Sequence, residues 1–168
     1  KLPVGATFSN GDPADAQALA DSWLRYKEIS PYGIDLAVLS DVKVVDATTV
    51  DAIFSAPPAA IYPVLGSSYL GPWNVASAAA AGNEAFALSP IASGPLVVQS
   101  FTPESDLLLV RNENYQTNLP FVENKGPLHL SEVQVRAIAE EATRVGELET
   151  GAVDVILNTP AAALERLR

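Results

Sequence analysis

The stretch SGPLVVQSFTPESDLLLVRNENY, residues 93–115, constrains the fold more than any other part of the chain. Two β-rich runs lie on either side of a short turn containing Pro103, and a polar stretch ending in Tyr115 follows them. Runs this close in sequence pair with each other as an antiparallel hairpin, because a parallel pairing needs a crossover of a dozen residues or more. Gly94-Pro95 turns the chain sharply into this hairpin, and Phe101 and Leu109 are placed to face a core across the turn. The glycine and prolines here serve backbone geometry, so the role of the hairpin is architectural.

The segments after the hairpin extend the pattern. PLHLSEVQVRAI alternates as a strand, with Val133, Val135 and Ala137 on one side. AEEATRVGELETG carries Ala142, Val145 and Leu148 at helical spacing, places Glu140 and Glu141 at the positive end of the helix, and stops at Gly151. VDVIL reads as a short buried strand, and Thr159-Pro160 as the cap and first residue of a last helix. Strand, helix, strand, helix is an α/β order.

The first half starts with a helix. Asn10-Gly11 is a turn signal, Asp12 a cap and Pro13 a first helical residue, and Ala16, Leu19, Ala20 and Trp23 then form one apolar face. DVKVVDATTVDAIFS predicts two short strands around an Asp46-Ala47 turn, ended by Pro57-Pro58. Residues 59–90 are rich in Pro, Gly, Ser and Ala. They read as a packed irregular connection with one short helix near Val75–Ala81.

An apolar content of 48% in 168 residues is enough for a real core. The net charge of −10 is spread over both halves of the chain, and no basic patch offers nucleic acid or an anionic membrane a partner surface. The absence of cysteine excludes a disulfide framework, a thiolate metal site and a cysteine nucleophile. Without methionine there is no initiator, and KLPVGATF resembles the tail of a strand, so processing or a preceding part is expected. The longest small-residue run, ASAAAAG at 76–82, is too short to span a bilayer.

Catalytic chemistry finds no residues to stand on. G-x-S-x-G, G-x-x-x-x-G-K-[ST] and H-E-x-x-H are all missing. The single histidine, His129, has no spaced ligand partner and reads as structural. Glu140 and Glu141 are adjacent, so on a helix they point in different directions, and their place at its N-terminus already accounts for them.

Four ordered blocks resemble one known family, the family 5 extracellular solute-binding proteins of ATP-binding-cassette importers, which handle peptides, nickel and related solutes. FSNGDPADAQALADSWLRY matches through Phe8, Gly11, Pro13 and Ala16, and Asp46, Thr49 and Val50 match a D-x-x-T-V strand pair that a proline follows. The hairpin matches through Gly94, Pro95, Phe101, Pro103, Leu109, Asn114 and Tyr115, and ATRVGELETGAVDV through Ala142, Leu148, Gly151 and Asp154. Ala92-Ser93, Gln116 and Ala14-Asp15 depart from the usual pattern.

The resemblance implies an α/β fold: part of a type II periplasmic-binding-protein fold, with a mixed sheet, flanking helices and incomplete lobes. Residues 1–90 would be an accessory domain and 91–168 the middle part of the first lobe. It implies a solute-binding subunit, periplasmic or extracellular, held at the membrane by the transporter or by a lipid anchor outside this chain. Its partners would be a peptide-like solute and the membrane permease subunits, with no nucleic acid, nucleotide, cofactor or metal and no enzymatic activity. Within that reading Tyr32, in SPYGIDL, would line the solute cleft; otherwise it packs a loop with its hydroxyl in water. Asn158 and Thr159, just beyond VDVIL, lie where open α/β sheets place ligands, and the alternative for Thr159 is a helix cap. A reading of another class is a structural or interaction module derived from the same fold, which covers its sheet edges by self-association.

Overall fold

A helix of fourteen residues organises the first half. In a computed structural model, which describes residues 1–58, 61–117 and 119–167, α1 spans Ala16–Ile29. It starts three residues later than the Asp12-Pro13 signal suggests. Pro13 is held in an isolated antiparallel bridge with Thr7, and the Asp12 carboxylate accepts from Asn10 Nδ2 and Asn74 Nδ2, each at 2.7 Å. Asp15 therefore takes the cap, accepting from the Ala18 N–H at 3.0 Å. At the other end Ser30 turns extended before Pro31, which cannot continue a helix.

The apolar face read from the sequence is the buried one: Ala16, Leu19, Ala20 and Trp23, joined by Ser22 and Tyr26. It packs on β1 (Leu39–Asp46) and β2 (Thr49–Phe54), an antiparallel hairpin with Leu39 opposite Phe54 and Asp46 opposite Thr49. Leu36, Leu39, Val42 and Leu70 complete the cluster, and each large apolar side chain buried there contributes about 1.5–3 kcal/mol. Between helix and hairpin the chain turns back through a 3-10 turn, Gly33–Leu36. Gly33 is required by closeness alone, since a Cβ there would lie 2.5 Å from the Lys27 carbonyl oxygen.

The Pro- and Gly-rich connection contains α2 (Ile61–Leu65), α3 (Val75–Ala81) and α4 (Asn83–Leu88). Only α3 is legible in the sequence, and its cap is Asn74, which accepts from the Ser77 N–H at 2.8 Å. Side chains of α1 hold this segment. Trp23 Nε1 donates to the Leu70 carbonyl at 2.8 Å, and the Ser22 hydroxyl accepts from the Trp73 N–H at 3.1 Å.

The chain then enters a three-stranded antiparallel sheet of β3 (Leu96–Thr102), β4 (Asp106–Arg111) and β5 (Glu132–Arg136), in that order. The hairpin forms where the sequence places it, with Leu96 opposite Arg111 and Thr102 opposite Asp106. Asn112 fastens its base, donating to the Gly94 carbonyl at 2.9 Å. No residue of β3, β4 or β5 is fully buried, and Phe101 is 39% exposed. Phe101, expected to face a core, is thus only partly covered.

Helix α5 (Glu141–Glu149) follows, capped by Glu140 and ended at Gly151, whose φ of 73° suits glycine. VDVIL, expected as a buried strand, is neither buried nor paired. Val155 and Leu157 are each 74% exposed, and among the described residues 154–159 make no hydrogen bond through their backbone. A strand needs a neighbour to pair with, and a cleft separates this segment from β5. The last helix is a single 3-10 turn, Ala161–Ala163, whose cap position is Pro160, so Thr159 does not cap it.

Two substitutions test the first half. Trp23→Phe keeps an aromatic side chain but removes the pyrrole N–H that donates to Leu70, with some buried volume, and is expected to lower unfolding free energy by about 1–3 kcal/mol. Gly33→Ala should cost a similar ~1–3 kcal/mol through overpacking. Urea denaturation checks both; a Trp23→Phe variant as stable as the parent would show that the indole bond does not hold the connection.

Candidate functional site

Tyr32 stands at the head of the 3-10 turn and is 64% exposed. Its ring stacks on Tyr69 at 6.3 Å between centroids, and Tyr69 stacks on Tyr26 at 5.4 Å with the planes 9° apart. The Tyr69 hydroxyl donates to Asp35 Oδ2 at 3.2 Å, which fixes the middle ring. Tyr26 closes the stack from inside: its hydroxyl is buried without a hydrogen-bond partner, and burial pushes that phenol above its usual pKa. Three rings thus form a ladder running from core to solvent. Its outer member offers a flat apolar face and a free hydroxyl.

Of the three rings only Tyr32 was singled out from the sequence. Tyr26 reads as part of the buried helix, and Tyr69 lies in the connection that has no periodicity. The stack joins residues far apart in sequence, so no linear signal reports it.

A second concave feature lies in the other half. A cleft of about 780 Å³ separates β5 from residues 152–158. Asn158 lines it and holds a left-handed backbone, φ 56°, which asparagine tolerates better than most residues. Neither Tyr32 nor Thr159 lines this cleft, so the three residues proposed from the sequence do not converge on one pocket. Arg144, which also lines the cleft, donates from Nη1 to the Ile138 and Ala139 carbonyls at 2.7 and 2.9 Å.

Two carboxylates away from both features have structural employment. Glu140 accepts from the Thr143 hydroxyl at 2.7 Å and from the N–H groups of Thr143 and Ala142 at 2.5 and 3.0 Å. These bonds, the Thr143 hydroxyl first, hold its carboxyl below the usual range. Asp46 is lowered in the same way, first by the Thr48 N–H across the β1–β2 turn. Among the described residues no group of three or more His, Cys, Asp or Glu side chains could hold a metal ion. No described helix is long and apolar enough to cross a membrane.

A depressed carboxylate stabilises the fold above its unfolded-state pKa, and this contribution is lost as pH falls through its lower folded-state value. Glu140→Ala should therefore destabilise α5 at neutral pH, and the gap to the parent should narrow at a pH below the carboxylate range. Urea denaturation at both pH values measures this. A gap equal at both would mean that the charge of Glu140 contributes nothing to the cap.

Known proteins share this fold. Residues 1–168 match the family described as bacterial extracellular solute-binding proteins, family 5, middle. A curated relative from Escherichia coli (strain K12), described as "Probable D,D-dipeptide-binding periplasmic protein DdpA", is 30% identical over 99% of this chain and 32% of its own length. The crystal structure of a nickel ABC transporter from Bacillus halodurans superposes with a TM-score of 0.82 at 26% identity, over 99% of this chain and 32% of that one. The periplasmic binding protein DppA of Helicobacter pylori, in complex with the peptide STSA, superposes with a TM-score of 0.76 at 19% identity, over 92% of this chain and 32% of that one, a likeness of fold. The chain thus spans about a third of the length of these relatives.

Proposed function

The chain belongs to the bacterial extracellular solute-binding proteins of family 5, and on that premise we propose that it acts as part of the solute-capturing subunit of an ATP-binding-cassette importer, taking oligopeptide- or dipeptide-like solutes to a membrane permease. The observation that carries this reading is the match over residues 1–168. The dipeptide-binding description of the E. coli relative favours a peptide-like solute over a metal complex. In this reading residues 1–90 are an accessory domain and 91–168 the middle of one lobe. The site of action is outside the cytoplasm.

The mechanism is capture without a chemical step. Backbone amides and carbonyls along a cleft hold the main chain of a peptide, waters accommodate its side chains, and lobe closure presents it to the permease. Tyr32 contributes an exposed ring whose orientation is set by Tyr69 and, through it, by Tyr26. A preorganised ring loses little freedom on binding, so its contact with a solute contributes more fully to affinity.

Calorimetric titration of the protein made from its whole reading frame, with a dipeptide, a tetrapeptide and nickel chloride, tests the reading. The expected result is binding of a peptide and none of nickel. Tyr32→Ala should weaken that binding about tenfold, a loss of ~1.4 kcal/mol. Nickel binding with no response to either peptide would overturn the solute class, and an unchanged affinity in Tyr32→Ala would remove Tyr32 from the site.

A further inference from the structure

Asn10-Gly11 is the one Asn-Gly pair in the chain, and it belongs to neither the aromatic ladder nor the cleft. Such a pair is chemically labile, because glycine has no Cβ to keep its backbone nitrogen from the side-chain carbonyl of the asparagine before it. The Gly11 nitrogen gives up its proton and bonds to Asn10 Cγ, the Cγ–Nδ2 bond breaks, and ammonia leaves with that proton. Water then opens the succinimide ring at either carbonyl, leaving aspartate or isoaspartate at position 10. Water is the sole co-reactant, and Asn10 and Gly11 are both exposed to it. The fold cannot remove the hazard by changing the glycine, since Gly11 holds a φ of 89°.

In the folded chain both reacting groups are engaged. The Gly11 N–H donates to the Phe8 carbonyl at 2.9 Å, and the Phe8 N–H donates to the Asp12 carbonyl at 2.8 Å. The Asn10 side chain is held at both ends: Oδ1 accepts from the Asp12 N–H at 3.2 Å, and Nδ2 donates to Asp12 Oδ2 at 2.7 Å. The Thr7–Pro13 bridge and the buried Phe8 close the base of the turn. Bringing the Gly11 nitrogen onto Asn10 Cγ breaks these bonds, so the ring closes only after the turn opens.

Asp12 also makes the product consequential. Its Oδ2 accepts from Asn74 Nδ2 at 2.7 Å, sixty-two residues away, and Asn74 caps α3 through Oδ1. A carboxylate at position 10 has no hydrogen to donate and sets a second negative charge where Nδ2 now lies against Asp12. Isoaspartate in addition lengthens the main chain within the turn. We infer that Asn10 is a latent deamidation site, locked by Asp12 in the native fold and released when the 8–12 turn opens, and that its conversion weakens the tie between this turn and α3. The inference is independent of which solute the protein captures.

Peptide mapping by mass spectrometry tests this on the protein made from its whole reading frame, incubated at one mildly alkaline pH in buffer and in concentrated guanidinium chloride. Conversion at Asn10 is expected to be at least about tenfold slower in buffer. Asp12→Ala removes the acceptor of Asn10 Nδ2, and should speed conversion in buffer several-fold without changing it in guanidinium. Asn10→Asp should lower the urea midpoint and speed amide exchange at Ser77, the N–H that Asn74 caps. Equal conversion in the two solvents, or none in guanidinium, overturns the inference. Parent-like conversion of Asp12→Ala in buffer would take the lock away from Asp12; where that variant does not fold, the two-solvent comparison on the parent decides. An Asn10→Asp variant with the parent's midpoint and Ser77 exchange would show that the tie to α3 does not depend on position 10.

Discussion

The hydrogen bonds from Ser22 and Trp23 to the backbone at Trp73 and Leu70 are the constraint on which the first half depends. Residues 66–74 contain no helix longer than a 3-10 turn and no ladder of their own. Their polar backbone groups must find partners elsewhere or stay in water. The α1 helix supplies partners at Leu70 and Trp73 from the same face that buries its apolar side chains, while the Asn74 N–H donates to the Ile91 carbonyl. One helix therefore organises both the β1–β2 hairpin and a connection that the hydrophobic pattern alone could not order. Asn74 extends the arrangement by capping α3 while donating to Asp12.

This anchoring also builds the aromatic ladder. Leu70 is fixed by Trp23, which leaves Tyr69 beside Tyr26 and puts its hydroxyl within reach of Asp35. Tyr32 then stacks on the outside, because Gly33 lets the chain pass close over the Lys27 carbonyl. The exposed ring that we propose as a solute contact is thus held by the packing that stabilises the core. Its position follows from stability.

The second half is built differently. Its sheet has an ordered hydrogen-bond ladder but no fully buried side chain in any strand, and its buried residues are few, Val145 and Asn112 among them. A sheet gains most of its stability from covering a face, and here the coverage is partial. The 780 Å³ cleft beside β5 and the exposed Val155 and Leu157 are two views of this shortage. Both agree with a chain that spans a third of the length of its relatives.

Elements that depend on local interactions were legible in the sequence. The apolar face of α1, the two hairpins, helix α3 and helix α5 with its acidic N-terminal end and Gly151 stop each follow from spacing and turn chemistry within a few residues. Tertiary structure decided what required distant partners. Asp12 is drawn from its capping role by Asn74, sixty-two residues away, so the helix starts at Ala16 under the Asp15 cap. Tyr32 meets Tyr69 only once the connection is folded back, and VDVIL has strand composition but no strand beside it. The physical reason is the same in each case. Propensity fixes the conformation a segment prefers, while hydrogen-bond satisfaction and burial depend on groups that only the folded chain brings within reach.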